Sequence, residues 1–262
     1  IGTLTMALLQ NAKHVTSIER DTDLPAVLAE TLEPWWDSFT LIQKDALDLQ
    51  HSDLEGQDAP NKLVANLPYA VAATVVLDYF QRIESLESAT VMVQKEVADR
   101  MAAEPGTKNY GAYTVKLQLF AQVVGRFQVP PRSFFPEPHV ESAVVRLQRV
   151  PACDALSAED AAATVEVVDA AFAQRRKTLR NSMAACEKWE RAQLDVAFDL
   201  MAIDGGCRAE SLTKDQFIGL ALALRDGAVP ERYRPAEPSA PAAAKKCAKP
   251  KKKRAVFDPD MI

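Results

Sequence analysis

The sequence predicts an α/β protein with a doubly wound, largely parallel sheet, followed by a small all-helical domain. Up to about residue 150, short apolar runs alternate with segments of helical periodicity, as in parallel sheets whose strands are joined by helices. From 158 to 225 only helical periodicity remains, and either Ser211 or Thr213 is expected to cap the last helix. With 262 residues, the chain is long enough for two domains.

The predicted elements follow one another closely. A helix at Leu4–Asn11 precedes a strand that ends near Glu19, and a second helix covers Leu24–Leu32. Three further strands begin the segments "FTLIQKDAL", "NKLVANLPY" and "ATVMVQKEVADRMAA", and a helix at Val71–Ile83 follows the second of these segments. The stretches "AQVVGRFQV" and "ESAVVRLQRV" flank a Pro-rich loop, so we expect an antiparallel pair at the end of the sheet.

Composition divides the chain into domains at 1–150 and 151–232 and a Pro/Ala/Lys-rich tail at 233–262, which we expect to be disordered. The net charge is −5, but the last 18 residues carry six lysines and one arginine against two aspartates. Because charge is distributed so unevenly, local basic patches and not net charge should decide the partner.

Several classes of protein are disfavoured. No apolar run approaches the roughly 18 residues that cross a bilayer, and no signal peptide is visible, so we expect a cytoplasmic protein without a membrane partner. The cysteines show no CxxC spacing, which favours free thiols over a metal site. They are Cys153, Cys186, Cys207 and Cys247.

Acidic residues end the first two predicted strands. In doubly wound sheets, ligands bind beyond the carboxyl ends of the strands. Glu19 is a candidate acceptor for the two hydroxyls of a ribose, and Asp45 for the exocyclic amine of a base. The alternative is that each acid caps the helix that follows, and the residues alone leave both interpretations open.

The segment Asn66-Leu67-Pro68-Tyr69 ends the third predicted strand. The amino nitrogen of a base is a poor nucleophile because its lone pair is delocalised into the ring. Two acceptors, the Asn66 side-chain oxygen and the Leu67 carbonyl, can turn that lone pair toward an electrophile. Pro68 stiffens the turn, and Tyr69 offers a flat face for base stacking. The alternative is an ordinary strand-to-helix turn with a core tyrosine.

Many motifs of the chain resemble, in order, those of the ribosomal RNA adenine N6,N6-dimethyltransferases of the kasugamycin-resistance type. The matching segments are "GTLT" at 2–5, "IERD" at 18–21, "KDAL" at 44–47, "NLPY" at 66–69, "QKEVADR" at 94–100, "PGTKNYG" at 105–111, "FFPEPHVESAVVRL" at 134–147 and "FAQRRKTLRNSM" at 172–183. "NLPY" also occurs in other methyltransferases, whereas "QRRKTLRNS" is more specific. The resemblance implies a Rossmann-like class I fold that uses S-adenosyl-L-methionine.

The resemblance also implies roles for individual residues. Cofactor-binding residues would be Gly2, Glu19, Asp45, Ala46 and Asn66. Asn66 would also lie against the target adenine, which Tyr69 and Phe134 would sandwich after it leaves its RNA stack. Without the resemblance, Phe134 would be interpreted as a core aromatic.

The implied partner is 16S rRNA in the small ribosomal subunit, bound by a monomer. The implied reaction is dimethylation of two adjacent adenines near the 3′ end of that RNA. The basic cluster of Arg175, Arg176, Lys177 and Arg180 is expected to contact phosphates, with Lys95, Arg100 and Lys108 adding to that surface. A solvated helix face is the alternative for this cluster.

The chain also departs from the family pattern. It begins at Ile1, within the family's glycine-rich loop, so we expect the first strand to be missing and a gap to open in the sheet. His139 and Ala112 stand where basic residues are common. The alternative that stays open is therefore a catalytically impaired rRNA-binding assembly factor. A DNA adenine methyltransferase is a weaker alternative, against which the resemblance of the "QRRKTLRNS" segment and the small helical domain argues.

Overall fold

The computed structural model describes residues 2–54, 59–152 and 154–235. Most of the predicted basic tail, together with Cys153 and Cys247, lies outside these residues. The chain divides into two compact units. The first consists of Ile1–Val97 and Val123–Arg149, and the second of Ala98–Gln122 and Val150–Ile262.

The structure contains six strands and nine α-helices within the described residues. The strands are β1 (Val15–Glu19), β2 (Phe39–Gln43), β3 (Lys62–Asn66), β4 (Ser88–Gln94), β5 (Ala121–Val129) and β6 (Ser142–Arg149). The helices are α1 (Thr3–Leu9), α2 (Leu24–Thr31), α3 (Ala72–Arg82), α4 (Lys95–Met101), α5 (Ala112–Phe120), α6 (Ala158–Phe172), α7 (Leu179–Ala184), α8 (Arg191–Leu200) and α9 (Lys214–Asp226).

The strands form two sheets. β1 and β2 make a parallel pair, whereas the other four are ordered β3-β4-β6-β5. β3 is parallel to β4, and β6 is antiparallel to β4. β5 and β6 are neighbours, as predicted. Within the described part of the chain no strand pairs the two sheets with each other.

Alternating side chains explain why the four-stranded sheet is stable. In β4 and β6 every second residue is fully buried, and the register sets these residues opposite one another in three pairs. The pairs are Ala89 with Leu147, Val91 with Val145, and Val93 with Ala143. Full burial of a Val or Leu side chain contributes about 1.5–3 kcal/mol, so these pairs fix the register.

Helix α3 carries its apolar residues at helical spacing. Ala72, Val75, Val76, Tyr79 and Phe80 are all buried, as a helix packed on a core requires. Its carboxyl end is held by Arg149, whose guanidinium donates to the carbonyls of Phe80, Ile83 and Leu86. These bonds supply donors to carbonyls at and just beyond the last turn of the helix, where intrahelical N–H donors run out.

The second unit is built from helices around a core that includes Leu179, Met183, Leu194, Phe198, Phe217 and Leu220. Local caps begin its helices: Ser157 accepts from the Asp160 N–H, and Thr178 accepts from the Asn181 N–H. Of the two candidates for the last helix, Thr213 is the cap, and it forms a reciprocal pair with Gln216.

Within the described residues, none of the helices is both long and apolar enough to cross a membrane. The same residues contain no group of three or more His, Cys, Asp or Glu side chains placed to hold a metal ion. Cys186 and Cys207 are free thiols.

Candidate active site

The carboxyl ends of β1 and β2 lie at one edge because the two strands are parallel and pair Glu19 with Gln43. The N–H of Lys44 continues this ladder by donating to the Glu19 carbonyl at 3.0 Å. The Glu19 side chain accepts from the N–H of Asp21 at 2.9 Å. Glu19 and Asp45 are therefore presented at the same edge, as the strand-end pattern predicts.

The Asp45 carboxylate is held by two donors. Its Oδ1 accepts from the N–H of Leu47 at 3.0 Å, and its Oδ2 from the guanidinium of Arg20 at 3.1 Å. The Leu47 hydrogen bond, with a smaller contribution from Arg20, lowers the pKa of Asp45 below its ordinary value. Asp45 also caps the short 3-10 turn Ala46–Asp48. A carboxylate oxygen has more than one acceptor site, so capping leaves capacity for a further donor.

Gly2 lies at the start of α1 with φ at 72°. This left-handed conformation favours glycine. A Cβ at this position would lie 3.3 Å from Leu28 Cδ2, so close packing against α2 also limits substitution.

Tyr79 of α3 connects two parts of the site, and the sequence patterns did not reveal it. Its hydroxyl donates to the carbonyl of Ala46 at 3.0 Å, so it holds the turn that carries Asp45. The Tyr79 side chain is buried, and burial raises its pKa to about 12. The only local signal was the apolar stripe of α3, which does not indicate the partner of the hydroxyl.

Asn66 is exposed at the last position of β3, opposite Met92 of β4. The next residue, Leu67, is buried, and its N–H donates to the Met92 carbonyl at 3.2 Å. The Pro68 carbonyl then accepts from the N–H groups of Val71 and Ala72, which begins α3. The chain thus turns abruptly from strand to helix and leaves the Asn66 side chain at the surface.

Tyr69 is half-buried and its hydroxyl is anchored. The Tyr69 and Ser142 hydroxyl oxygens are 2.7 Å apart and share a hydrogen bond in which either can donate. Ser142 is fully buried at the first position of β6. The sequence patterns did not reveal Ser142 either, because nothing in "ESAVVRL" indicates which hydroxyl it contacts.

Phe134 follows a 3-10 turn at Pro131–Ser133 in the connection between β5 and β6. Its N–H donates to the carbonyl of Pro131 at 3.0 Å, and its ring is half-buried. Phe135 is fully exposed and precedes Pro136 through a cis peptide bond. The loop therefore presents at least one aromatic ring to solvent.

The predicted basic cluster is mostly exposed. Arg175, Arg176 and Lys177 lie between α6 and α7 and are exposed. Arg180 in α7 forms an ion pair of 2.8 Å with Asp195, and its guanidinium lies 5.9 Å from the Phe198 ring centroid. Arg180 therefore already has intramolecular partners.

The three additional basic residues differ in their surroundings. Lys95 pairs with Glu141 at 2.9 Å. The Arg100 guanidinium lies 5.3 Å from the ring centroid of Tyr113. Lys108 is exposed in the loop before α5.

An α/β fold with carboxylate acceptors at two strand ends has the arrangement by which Rossmann-like folds bind nucleosides, and here helices are added to it. Among solved structures, a Plasmodium falciparum dimethyladenosine transferase matches with a TM-score of 0.70 and 22% identity over 87% of this chain and 88% of that one. The 23S rRNA methyltransferase ErmE matches with a TM-score of 0.60 and 26% identity, covering 86% and 87%. The predicted fold class is confirmed.

The family is shown by sequence comparison. A model described as ribosomal RNA adenine dimethylase matches residues 1–226. The ribosomal RNA small subunit methyltransferase A of Magnetococcus marinus is 43% identical over 225 residues, which are 84% of this chain and 77% of that protein. The protein of the same name from Clostridium acetobutylicum is 38% identical over 217 residues, covering 83% and 78%.

The chain belongs to the ribosomal RNA adenine dimethylase family. The predicted family, enzyme class and use of S-adenosyl-L-methionine are confirmed by these matches. The residues of the acidic edge fit that cofactor, because carboxylate acceptors suit the hydroxyl and amino donors of a nucleoside. The role of each site residue stays a prediction.

Proposed function

We propose that this protein dimethylates N6 of two adjacent adenines near the 3′ end of 16S rRNA in the small ribosomal subunit, during ribosome biogenesis. We place it in the cytoplasm, as a monomer. The observation that carries the proposal is the anchored turn after β3, which exposes Asn66 beside the half-buried ring of Tyr69. Family membership identifies ribosomal RNA as the substrate class.

The turn after β3 suits the activation of an aromatic amine. The side-chain oxygen of Asn66 and the carbonyl of Leu67 would accept the two N–H bonds of the adenine amine and aim its lone pair outward. The Leu67 N–H is fixed to the Met92 carbonyl, so the sheet holds the peptide directly before the one that carries the Leu67 carbonyl. Such preorganised acceptors lower the barrier because they do not reorient during the reaction.

Aromatic residues would hold the adenine once it has left its stack. Tyr69 and Phe134 are both half-buried, so each retains exposed surface that a base could contact. Stacking of one base on an aromatic ring contributes about 1–3 kcal/mol, which offsets the cost of removing the base from its RNA stack.

The acidic edge would bind the nucleoside part of the cofactor. Glu19 would accept from the ribose hydroxyls, and Asp45 from the adenine amine, with Ala46 and Gly2 shaping the walls. When bound, S-adenosyl-L-methionine supplies a methyl group from its sulfonium. We assign no general base to the protein, because the amine proton becomes strongly acidic once the nitrogen carries the additional methyl.

The exposed segment Arg175–Lys177 would contact RNA phosphates, with Lys108 as a further contact. Arg180, Lys95 and Arg100 would contribute less, because their charges already face Asp195, Glu141 and the Tyr113 ring. Contacts of this kind supply affinity and orientation without reading sequence.

The test is transfer of labelled methyl groups to small ribosomal subunits that lack the dimethyladenosines, comparing the protein with Asn66→Ala. Co-sedimentation with the subunits measures binding separately. We expect two methyl groups per target adenine from the unsubstituted protein and almost none from the variant, with equal binding. Binding without transfer by the unsubstituted protein would refute catalysis and favour the assembly-factor alternative.

A further inference from the structure

We infer that Ser142 is a positioning residue for Tyr69, whose hydroxyl it holds so that the ring presents a fixed face to the target base. This inference rests on the proposed function, in which Tyr69 stacks on the adenine. It adds a residue that contacts neither RNA nor cofactor and acts only through the Tyr69 hydroxyl.

The geometry is that of an anchor. The two hydroxyl oxygens lie 2.7 Å apart, although the residues are 73 positions apart in the sequence. Ser142 has no exposed surface, so its hydroxyl cannot exchange this partner for bulk water. Leaving a buried hydroxyl without a partner costs about 1–3 kcal/mol, and the bonded arrangement is therefore strongly favoured.

The serine is itself rigidly placed. It opens β6 directly opposite Gln94, the last residue of β4, and the next residue, Ala143, is fully buried. The preceding residue, Glu141, is fixed twice: its carbonyl accepts from the Lys95 N–H at 2.9 Å, and its carboxylate pairs with the Lys95 ammonium. The anchor for Tyr69 therefore belongs to the sheet and not to a loop.

Tyr69 needs such an anchor because it lies in a turn and is only half-buried. A half-buried aromatic side chain has fewer packing contacts, and so more freedom to change rotamer, than one enclosed in a core. A hydroxyl fixed at the far end of the ring removes that freedom before the base arrives. The adenine then does not have to order the ring, so less binding free energy is lost on stacking.

A comparison within the chain separates this role from ordinary stabilisation. Tyr110 also has its hydroxyl hydrogen-bonded, at 2.8 Å to the Leu212 carbonyl, but its ring is 5% exposed and has no free face. Thr164 is fully buried, and its hydroxyl donates to the Asp160 carbonyl at 2.7 Å. Neither Tyr110 nor Thr164 belongs to the proposed site or to the basic cluster, so both provide controls.

The experiment is a double-mutant cycle with Ser142→Ala, Tyr69→Phe and the double variant, using Tyr110→Phe and Thr164→Ala as controls. Methyl transfer gives kcat and KM for the small subunit. In parallel, quenching of 2-aminopurine at the target position of an RNA fragment measures base stacking without turnover. Each single variant should reduce kcat/KM and quenching about threefold to tenfold, the range expected for one hydrogen bond.

The double variant should be no worse than either single variant, because both remove the same bond. The controls should lose thermal stability without a change in kcat/KM. Additive effects in the double variant, or unchanged stacking in Ser142→Ala, would overturn the inference. Quenching without transfer in the unsubstituted protein would refute the proposed catalysis, and the effect of Ser142→Ala on quenching would still decide the role of Ser142.

Discussion

Replacement of Tyr79 by Phe tests whether α3 supports the cofactor edge. The substitution keeps the ring, which is 4% exposed, and removes only the hydroxyl that donates to the Ala46 carbonyl. A hydrogen bond of this kind contributes about 0.5–1.5 kcal/mol net. Because Ala46 is half-buried, water can partly replace the donor, and we expect a loss near the middle of that range.

If the Tyr79 hydrogen bond holds the turn at Ala46–Asp48 in the conformation that binds the cofactor, a loss of about 1 kcal/mol corresponds to a roughly fivefold weaker affinity for S-adenosyl-L-methionine. Isothermal titration calorimetry measures this affinity directly. Tyr110→Phe is the matched control, since it also removes a buried hydroxyl bonded to a carbonyl and its pKa is likewise raised to about 12 by burial. Equal cofactor affinity in both variants would refute the reasoning.

The pH dependence of the same bond has a definite sign. The folded-state pKa of Tyr79 is about 12, above the ordinary value of 10.0, so the protonated phenol is favoured in the folded protein. The contribution of Tyr79 to stability is therefore complete below pH 10 and declines as the pH rises toward about 12. Chemical denaturation between pH 10 and about 12 should show a loss in the free energy of unfolding, and this loss should be smaller in Tyr79→Phe than in the unsubstituted protein.

Three further predictions follow from the site. Asn66→Ala should lower kcat by about a hundredfold or more, a larger effect than its effect on cofactor affinity, because it removes an acceptor aimed at the reacting amine; calorimetry and methyl transfer separate the two. The triple substitution Arg175→Gln, Arg176→Gln and Lys177→Gln removes the charge of the exposed segment and should reduce the salt dependence of RNA binding. The slope of the logarithm of the binding constant against the logarithm of salt concentration should fall in magnitude by about 0.7–0.9 for each phosphate that the protein no longer neutralises. Because the pKa of Asp45 is lowered, its contribution to stability should be complete above pH 3.8, its ordinary pKa, and should disappear as the pH falls through the lowered pKa. The loss of stability in acid denaturation should therefore be smaller in Asp45→Asn.

Each of these predictions has an outcome that contradicts it. A loss of cofactor affinity as large as the loss of kcat in Asn66→Ala would indicate that the asparagine acts through cofactor binding or folding and not by activating the amine. An unchanged salt slope in the triple variant would place the RNA-binding surface elsewhere, and Lys188→Gln on the same unit is a suitable control, since Lys188 already pairs with Glu166. If acid denaturation is identical in Asp45→Asn and in the unsubstituted protein, Asp45 is not the titrating group.

Local signals in the sequence predicted most elements of the fold. The strand ends at Glu19 and Asn66 were visible because an apolar run gives way abruptly to polar residues, and β1 and β3 end at these positions. The cap of the last helix was narrowed to Ser211 or Thr213 from the sequence, and the structure selects Thr213, whose partner Gln216 stands three residues later. Such features depend on neighbours within a few positions, so a single sequence carries them.

The order of the strands in the sheet could be predicted only in part from the sequence. The sequence indicated that β5 and β6 are neighbours, but it did not indicate that β6 lies between β4 and β5 and runs antiparallel to β4. Strand order depends on which edges meet when the whole sheet assembles. The alternation in "SAVVRL" shows that one face of β6 is buried without identifying the strand beside it.

By itself, the sequence determined the family, the α/β class and the positions of Glu19, Asp45 and the turn after β3, because these depend on short motifs and local periodicity. Only the tertiary structure decided which hydroxyls hold that site: Tyr69 on Ser142, and Tyr79 on the carbonyl of Ala46. These partners are 73 and 33 residues apart. Their contacts exist only because sheet register and helix packing bring distant segments together, which no local pattern encodes.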